Sequence, residues 1–429
     1  MRTSSPEHHD NAACRSVCGT ENLDARHRPA QLHGMQCTRQ VRILRANGDT
    51  TAPVAFVRIR SRCRRIQHPW VLPLFLMSGD LVQELKRAGG ERFPEVTFEW
   101  DSQWPLYAVG WCASSSAQGV ARLAVGSFIE EGPNNYIEIL DFVPGSRGTI
   151  RRFQSRHKCS IVFPCTKLLW EPAYEHSLAR TQNVVLASAS DMLRLWAVTE
   201  EHMLLLRTLA PNERAEQIAP LTSMDWNEVD RSALATASVD TTVAVWDPEL
   251  GRMRTRLIAH DNAVYDVSFD QNTAHHFVTC GADGSVRLFD LRSLDHSTVL
   301  YESPTGNPLL RVTWSKQNSH YLLTLPSRSR YAVAIDIRMP AVPMAYVGGN
   351  TGSVNAISWS PSSANYLATA DMDGRLALWE LAQAVPKTEV RAFAACKLRG
   401  PIDNVAWSTA LPQWIAAVTA PSSLTVLQI

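Results

Sequence analysis

His260, Asp283 and Ser285 fall within one short stretch of the chain, and together they carry the base, acid and hydroxyl of a nucleophilic hydrolase. Acyl transfer needs more than three side chains. Ser285 sits in "GADGSVRLFDLR" (281–292), where no G-x-S-x-G elbow surrounds it and no oxyanion donors are identifiable. The same residue types allow a structural use, in which His260 hydrogen-bonds to the turn acid Asp283 and both are satisfied internally. Recurrence of the acid favours that use. Asp240 and Asp373 stand six residues before Trp246 and Trp379, as Asp283 stands before Phe289. His260, Asp283, Asp240, Trp246, Asp373 and Trp379 are therefore read as framework, and no catalytic residue is assigned.

Other chemistry is thinly represented. His8, His9, Cys14 and Cys18 lie near one another, but the cysteine spacing matches no zinc pattern, so no metal site is assigned. No Gly-rich phosphate loop, HExxH or paired-carboxylate arrangement stands out, and no cofactor is expected. "DWNEVD" (225–230) is an acidic cluster read as a solvated loop leaving a strand. The chain is not expected to be an enzyme.

The elements that hold these residues repeat. "SVDTTVAVWDPE" (238–249) and "DMDGRLALWELA" (371–382) are near-copies of 281–292. Aligning units on their first aromatic gives Trp111, Trp170, Trp226, Phe269, Trp314, Trp359 and Trp407, with intervals of 43, 45, 45 and 48 residues over the last five. That period belongs to four-stranded propeller blades. The first two intervals, 59 and 56, call for loop insertions. Within a unit, "VNAISWS" (354–360) alternates as an inner strand, and "NYLATA" (365–370) suits a strand buried on both faces. Asp373-Gly374 makes the turn, and "RLALWEL" (375–381) alternates again.

One such unit buries a single face, so neighbours must stack on it, and closing the stack shortens the exposed edges. The expected fold is all-β: a seven-bladed propeller with units at 105–142, 164–198, 220–247, 259–292, 307–338, 348–382 and 398–429. The last unit ends on a third strand, "LTVLQI" (424–429), and "EVTFEW" (95–100) alternates correctly to complete it. Closure by an N-terminal strand is expected.

Composition agrees with a globular chain: 45% hydrophobic and 19% charged over 429 residues, with a net charge of +1. Residues 1–70 hold 12 Arg, no Lys and 5 acids, about +7, which leaves the rest near −6. A mildly acidic ring gives no reason to expect direct nucleic-acid binding. No apolar run reaches membrane-spanning length, the nearest being "WVLPLFLM" (70–77), broken by Pro73. Nine scattered cysteines fit free thiols in a reducing compartment, with Cys280 in the core. Residues 1–94 are expected to form a mostly irregular basic extension, with a short helix over 81–87 capped by Asp80. A transit peptide and a misassigned start are the alternatives for that segment.

The repeats resemble WD40 proteins. Within them "APLTSMDWNEVD" (219–230), "IAHDNAVYDVSF" (258–269), "GADGSVRLFDLRSLDHSTVLYE" (281–302) and "PLLRVTWSKQNSHYLLT" (308–324) resemble the Anthocyanin-11 / Transparent Testa Glabra family, whose animal members are cullin–RING ligase-associated factors. The resemblance covers residue 95 to the end. It implies a non-enzymatic, monomeric scaffold of the cytoplasm and nucleus. Its implied partners are MYB and basic helix-loop-helix transcription factors, DYRK-type kinases, or a cullin–RING adaptor that receives substrates through it. Adaptor-binding members end a blade with a Trp-Asp-x-Arg box. "FDLR" and "IDIR" approximate it with Asp290 and Arg292, and with Asp336 and Arg338, while Phe289 and Ile335 replace the Trp. The bland alternative is that each Asp and Arg simply pair with each other. Asp261, Asn262 and Tyr265, at an inner-strand entrance, are further candidate partner contacts.

Overall fold

The computed structural model describes residues 39–44, 54–59, 96–113, 121–130, 134–142, 153–172, 184–210, 219–349, 352–381, 389–390 and 392–429. Every regular element among them but a single turn of 3-10 helix is a strand. Seven antiparallel sheets make the seven blades of a propeller. Blade one, for example, runs Leu106–Trp111, Ala121–Ser127, Asn135–Phe142 and Gln154–Ile161 from inside to outside. Blade four runs Val264–Phe269, His276–Gly281, Ser285–Asp290 and Ser293–Glu302.

Burial follows the sequence pattern. Second strands are covered on both faces, as in Leu234–Ser238 and Trp414–Thr419, which are buried at every residue. Small side chains (Ala235, Ala237, Ala416, Ala417) let neighbouring sheets approach there. Seven apolar clusters form, and each lies between two adjacent blades. An open stack of seven sheets has six interfaces; a ring has seven. The seventh joins blade seven to blade one, where Phe98, Trp414 and Val426 meet Trp111, Leu123 and Phe142.

Closure occurs as the pattern implies. Val96–Asp101 pairs with Ser423–Gln428 along its whole length, from Val96 opposite Gln428 to Asp101 opposite Ser423. Phe98 sets its ring 5.3 Å from Phe142, edge to face, and 5.5 Å from Trp414.

The aromatic that ends each inner strand does two different jobs. Trp111, Trp170 and Trp359 donate Nε1–H to the carbonyls of Ala406, Gly110 and Thr313 on the preceding blade. Trp226, Trp314 and Trp407 donate instead to their own loops, at Arg231, Ser319 and Pro412. Turn geometry also departs from uniformity. Gly284 and Gly374 take φ of +77° and +85°, but Thr241 holds the equivalent place in blade three at +73°.

Two features were not anticipated. Arg39–Leu44 and Val54–Ile59 form a two-stranded sheet of their own, so the basic extension is not wholly irregular. Blade five gains a fifth strand: Glu389–Val390 pairs in parallel with Tyr346 and Val347 on its outer edge. The helix expected over 81–87 lies outside the described residues.

Candidate functional site

The inner strand Val264–Phe269 and the turn at 281–284 bring His260, Asp283 and Ser285 together, wired unlike a hydrolase. His260 Nδ1 lies 2.9 Å from Asp283 Oδ2, and Ser285 Oγ lies 3.2 Å from the same nitrogen. Nε2 faces Thr279 Oγ1 at 2.7 Å instead. In a working triad the acid and the nucleophile occupy opposite ring nitrogens. Here both crowd one. A neutral ring that donates from Nδ1 to Asp283 and accepts the Thr279 hydroxyl at Nε2 satisfies the whole set. His260 and Ser285 are buried, so neither is presented to a substrate. Burial alone would push the Asp283 carboxyl up, but the hydrogen bonds it accepts from His260 and from the Ser285 N–H and hydroxyl hold it well below the usual carboxylate range.

The related blades use parts of this arrangement. Trp246 Nε1 donates to Thr236 Oγ1 and Trp379 Nε1 to Thr369 Oγ1, both at 2.9 Å, where Phe289 has nothing to donate. Asp240 accepts from Thr242 Oγ1 and Arg256, each at 2.6 Å. Asp373 differs from Asp283. It is exposed, and the buried carboxylate of that turn is Asp371, whose Oδ1 accepts the N–H groups of Asp373 and Arg375. Two acids within three residues hid this exchange, since spacing from the tryptophan selects only one.

The two Asp-x-Arg hooks are near-identical. In each, the Arg grips its own Asp in a bidentate pair: Arg292 to Asp290 at 3.0 and 2.6 Å, Arg338 to Asp336 at 2.9 and 2.6 Å. They sit at the ends of Ser285–Asp290 and Tyr331–Asp336, on the adjacent blades four and five. The arginines are more than half exposed, at 62% and 57% of the side chain. The Arg292 hydrogen bond holds the Asp290 carboxyl well below its ordinary range, and Arg338 lowers Asp336 likewise. Each Arg keeps further donors for a partner.

Of the entrance residues, Asp261 is exposed and ion-paired to Arg287 at 2.7 Å, and Asn262 is exposed. Tyr265 is the second residue of the inner strand and is half-buried, with burial raising its hydroxyl pKa. The acidic stretch 225–230 is a solvated loop only in part: Glu228 and Val229 are exposed where the chain leaves the strand, but the residues before them are not. Asp225 is the fifth residue of the inner strand Leu221–Trp226, and its Oδ2 accepts the Phe269 N–H of the next blade at 2.7 Å. Burial pushes its carboxyl up to about 6, against the pull of Lys167 and that N–H. Asn227 is fully buried and donates to the Thr273 carbonyl, and Glu228 pairs with Lys316 two blades away.

The sequence reading missed a polar chain along the channel wall. The position three residues before the closing aromatic of successive inner strands supplies Lys167, Ser223, Asp266 and Arg311. Lys167 Nζ lies 3.1 Å from Ser223 Oγ and 3.3 Å from Asp266 Oδ1. Arg311 of blade five reaches the Tyr107 hydroxyl of blade one. The signal was present as a polar residue recurring at one place in otherwise apolar strands. Five cysteines are free among the described residues, and Cys280 is fully buried. No cluster of metal-binding residues occurs among the described residues; His8, His9, Cys14 and Cys18 lie outside them.

Comparison with known proteins matches the geometry. Residues 251–290 and 342–380 match the family described as WD domain, G-beta repeat. The DDB1- and CUL4-associated factor 7 homolog of Dictyostelium discoideum is 37% identical over 333 residues, covering 77% of this chain and 98% of its own. An uncharacterized WD repeat-containing protein of Schizosaccharomyces pombe, C17D11.08, is 36% identical over 67% of this chain and 70% of its own. The WD repeat-containing protein YPL247C of Saccharomyces cerevisiae is 30% identical over 66% of this chain and 58% of its own.

Proposed function

The chain belongs to the WD-repeat family that includes the Dictyostelium DDB1- and CUL4-associated factor 7 homolog, and on that premise we propose that it is a non-enzymatic protein-interaction scaffold. The observation that carries this reading is the pair of exposed Asp–Arg hooks on neighbouring blades, Asp290–Arg292 and Asp336–Arg338. Two guanidiniums fixed in one orientation by their own acids present preorganised donors to a partner carboxylate or carbonyl, which lowers the ordering cost of binding.

The finer reading follows the resemblance to the Anthocyanin-11 / Transparent Testa Glabra proteins: assembly of MYB and basic helix-loop-helix factors, or of DYRK-type kinases, in cytoplasm and nucleus. A second reading is favoured by the same hooks and by the name of the Dictyostelium relative. In it the ring is the substrate-recruiting subunit of a cullin–RING ligase, bound to the adaptor through Arg292 and Arg338. Co-purification separates the two. Adaptor recovery that is lost in Arg292→Ala/Arg338→Ala supports the ligase reading, whereas kinases or transcription factors retained by that variant support the scaffold alone. A purified chain that turns over a small molecule sinks both.

A further inference from the structure

Blades one to three share an outer architecture but differ at one pair of positions. In each, one outer-strand residue bulges out of register beside the third strand. In blade one it is Arg156, which reaches Asp141 at 2.6 Å. In blade three it is Arg254, which reaches Asp247 at 3.5 Å. The same register places Leu206 and Ala197 there in blade two. Both members of the ion pair are replaced together by apolar side chains. The outer strand Met203–Leu209 then exposes Leu204, Leu205 and Leu206 in succession, each about half accessible.

That strand is the end of its sheet, and no strand among the described residues pairs with its outer edge. Natural edges are blunted by charge, as Arg156, Lys158, Arg252 and Arg254 do on blades one and three. Blade two lacks this protection over three residues. Its nearest charge, Arg207, makes no ion pair among the described residues, and its guanidinium rests against Gly251 of blade three, where a Cβ would lie 2.6 Å from Nη1. Blade five supplies the form of an occupant. There a short extended segment, Glu389–Val390, lies along an outer edge and buries Val390.

We propose that the outer edge of blade two accepts an extended segment of a partner protein as a fifth strand. The segment alternates apolar residues, which cover Leu204–Leu206, with an acid that pairs with Arg207. Backbone hydrogen bonds to the edge give affinity, and the alternating side chains give selectivity. This assignment rests on the scaffold reading and adds to it a surface and a partner chemistry.

A displayed library of short peptides, panned against the full-length chain, tests it. The comparison chain is Ala197→Asp/Leu206→Arg, which writes into blade two the pair that blades one and three already carry. Peptides alternating apolar and acidic residues enrich, bind the variant at least about tenfold more weakly, and slow amide exchange over 203–209. Leu205→Glu, at an exposed position, gives the same loss should the double variant melt early. Peptides that bind both chains equally, protection of another blade, or no enrichment overturns the assignment. So does a wild-type dimer that the variant abolishes, which makes a second copy the occupant. Adaptor recovery is measured on both chains. Its absence from the wild type strikes the ligase reading, while its retention beside lost peptide binding isolates the edge.

Discussion

Lys167 of blade two and Asp266 of blade four meet at the channel wall, Nζ to Oδ1 at 3.3 Å, past blade three, whose Ser223 donates to the same oxygen. The other carboxylate oxygen accepts the Val312 N–H of blade five at 3.0 Å. One buried acid therefore ties four consecutive blades. Asp266→Ala takes the partner from a lysine that is about a third exposed and leaves the buried Val312 N–H without its acceptor, at a cost of about 2 kcal/mol. Denaturant unfolding measures it. A loss within error of zero would show that the blades are held by apolar packing alone.

Ring closure makes a second prediction. Phe98 is buried against Phe142 and Trp414, on a strand that pairs with Ser423–Gln428. Phe98→Ala costs about 3 kcal/mol through cavity and lost transfer energy. Deleting 95–100 lowers the melting temperature of the whole ring, because it bares the edge of blade seven. An unchanged melt in both speaks against closure by this strand.

Thr241 is a strained residue with a simple remedy. Its φ of +73° is unfavourable for a β-branched side chain, and Gly284 and Gly374 show what the turn accepts. Thr241→Gly stabilises by about 1 kcal/mol, read from the thermal midpoint. Destabilisation instead means that the threonine side chain contributes more than the turn strain removes.

Acid and base act on the inner strands in a defined direction. Burial alone pushes Asp403, the second residue of the blade-seven inner strand Ile402–Trp407, up to about 6, and burial pushes Asp225 up to about 6 against its donors. In the unfolded chain both titrate near the ordinary value of about 3.9. Between these limits the folded state keeps protons that the unfolded state has released. Their contribution is therefore fully present below about pH 4 and is lost as pH rises to about 6. Asp403→Asn removes its part of that slope and raises stability at pH 7 by on the order of 2 kcal/mol relative to wild type. Denaturation series at pH 4 and pH 7 decide it, and parallel curves for the two chains refute it.

His260→Ala leaves Asp283, Ser285 and Thr279 without their shared partner and lowers stability by about 2 kcal/mol. Ester hydrolysis is unaffected in this variant and in Ser285→Ala. A background esterase that vanishes with Ser285→Ala at unchanged stability would restore the hydrolase reading.

The sequence by itself determined the blade count, the strand order within a blade and the closing strand. The first two depend on alternation, turn glycines and a period near 45 residues, all written within a few dozen residues of one another, and the third on a last unit that ends one strand short while 95–100 alternates to supply it. The Asp290 and Asp336 hooks were legible for the same reason, since each Arg lies two residues from its Asp. Only the tertiary structure decided which acids are buried. Asp225 meets Phe269 across 44 residues of chain and Asp266 meets Val312 across 46, so their environments exist only once neighbouring inner strands stand side by side. The outer edge of blade two, unpaired among the described residues, is of this kind too. Ala197 and Leu206 look unremarkable in sequence, and become informative only when the register sets them beside Asp141–Arg156 and Asp247–Arg254. Periodicity encodes what each blade buries against its neighbours; what one blade asks of another is fixed by the ring.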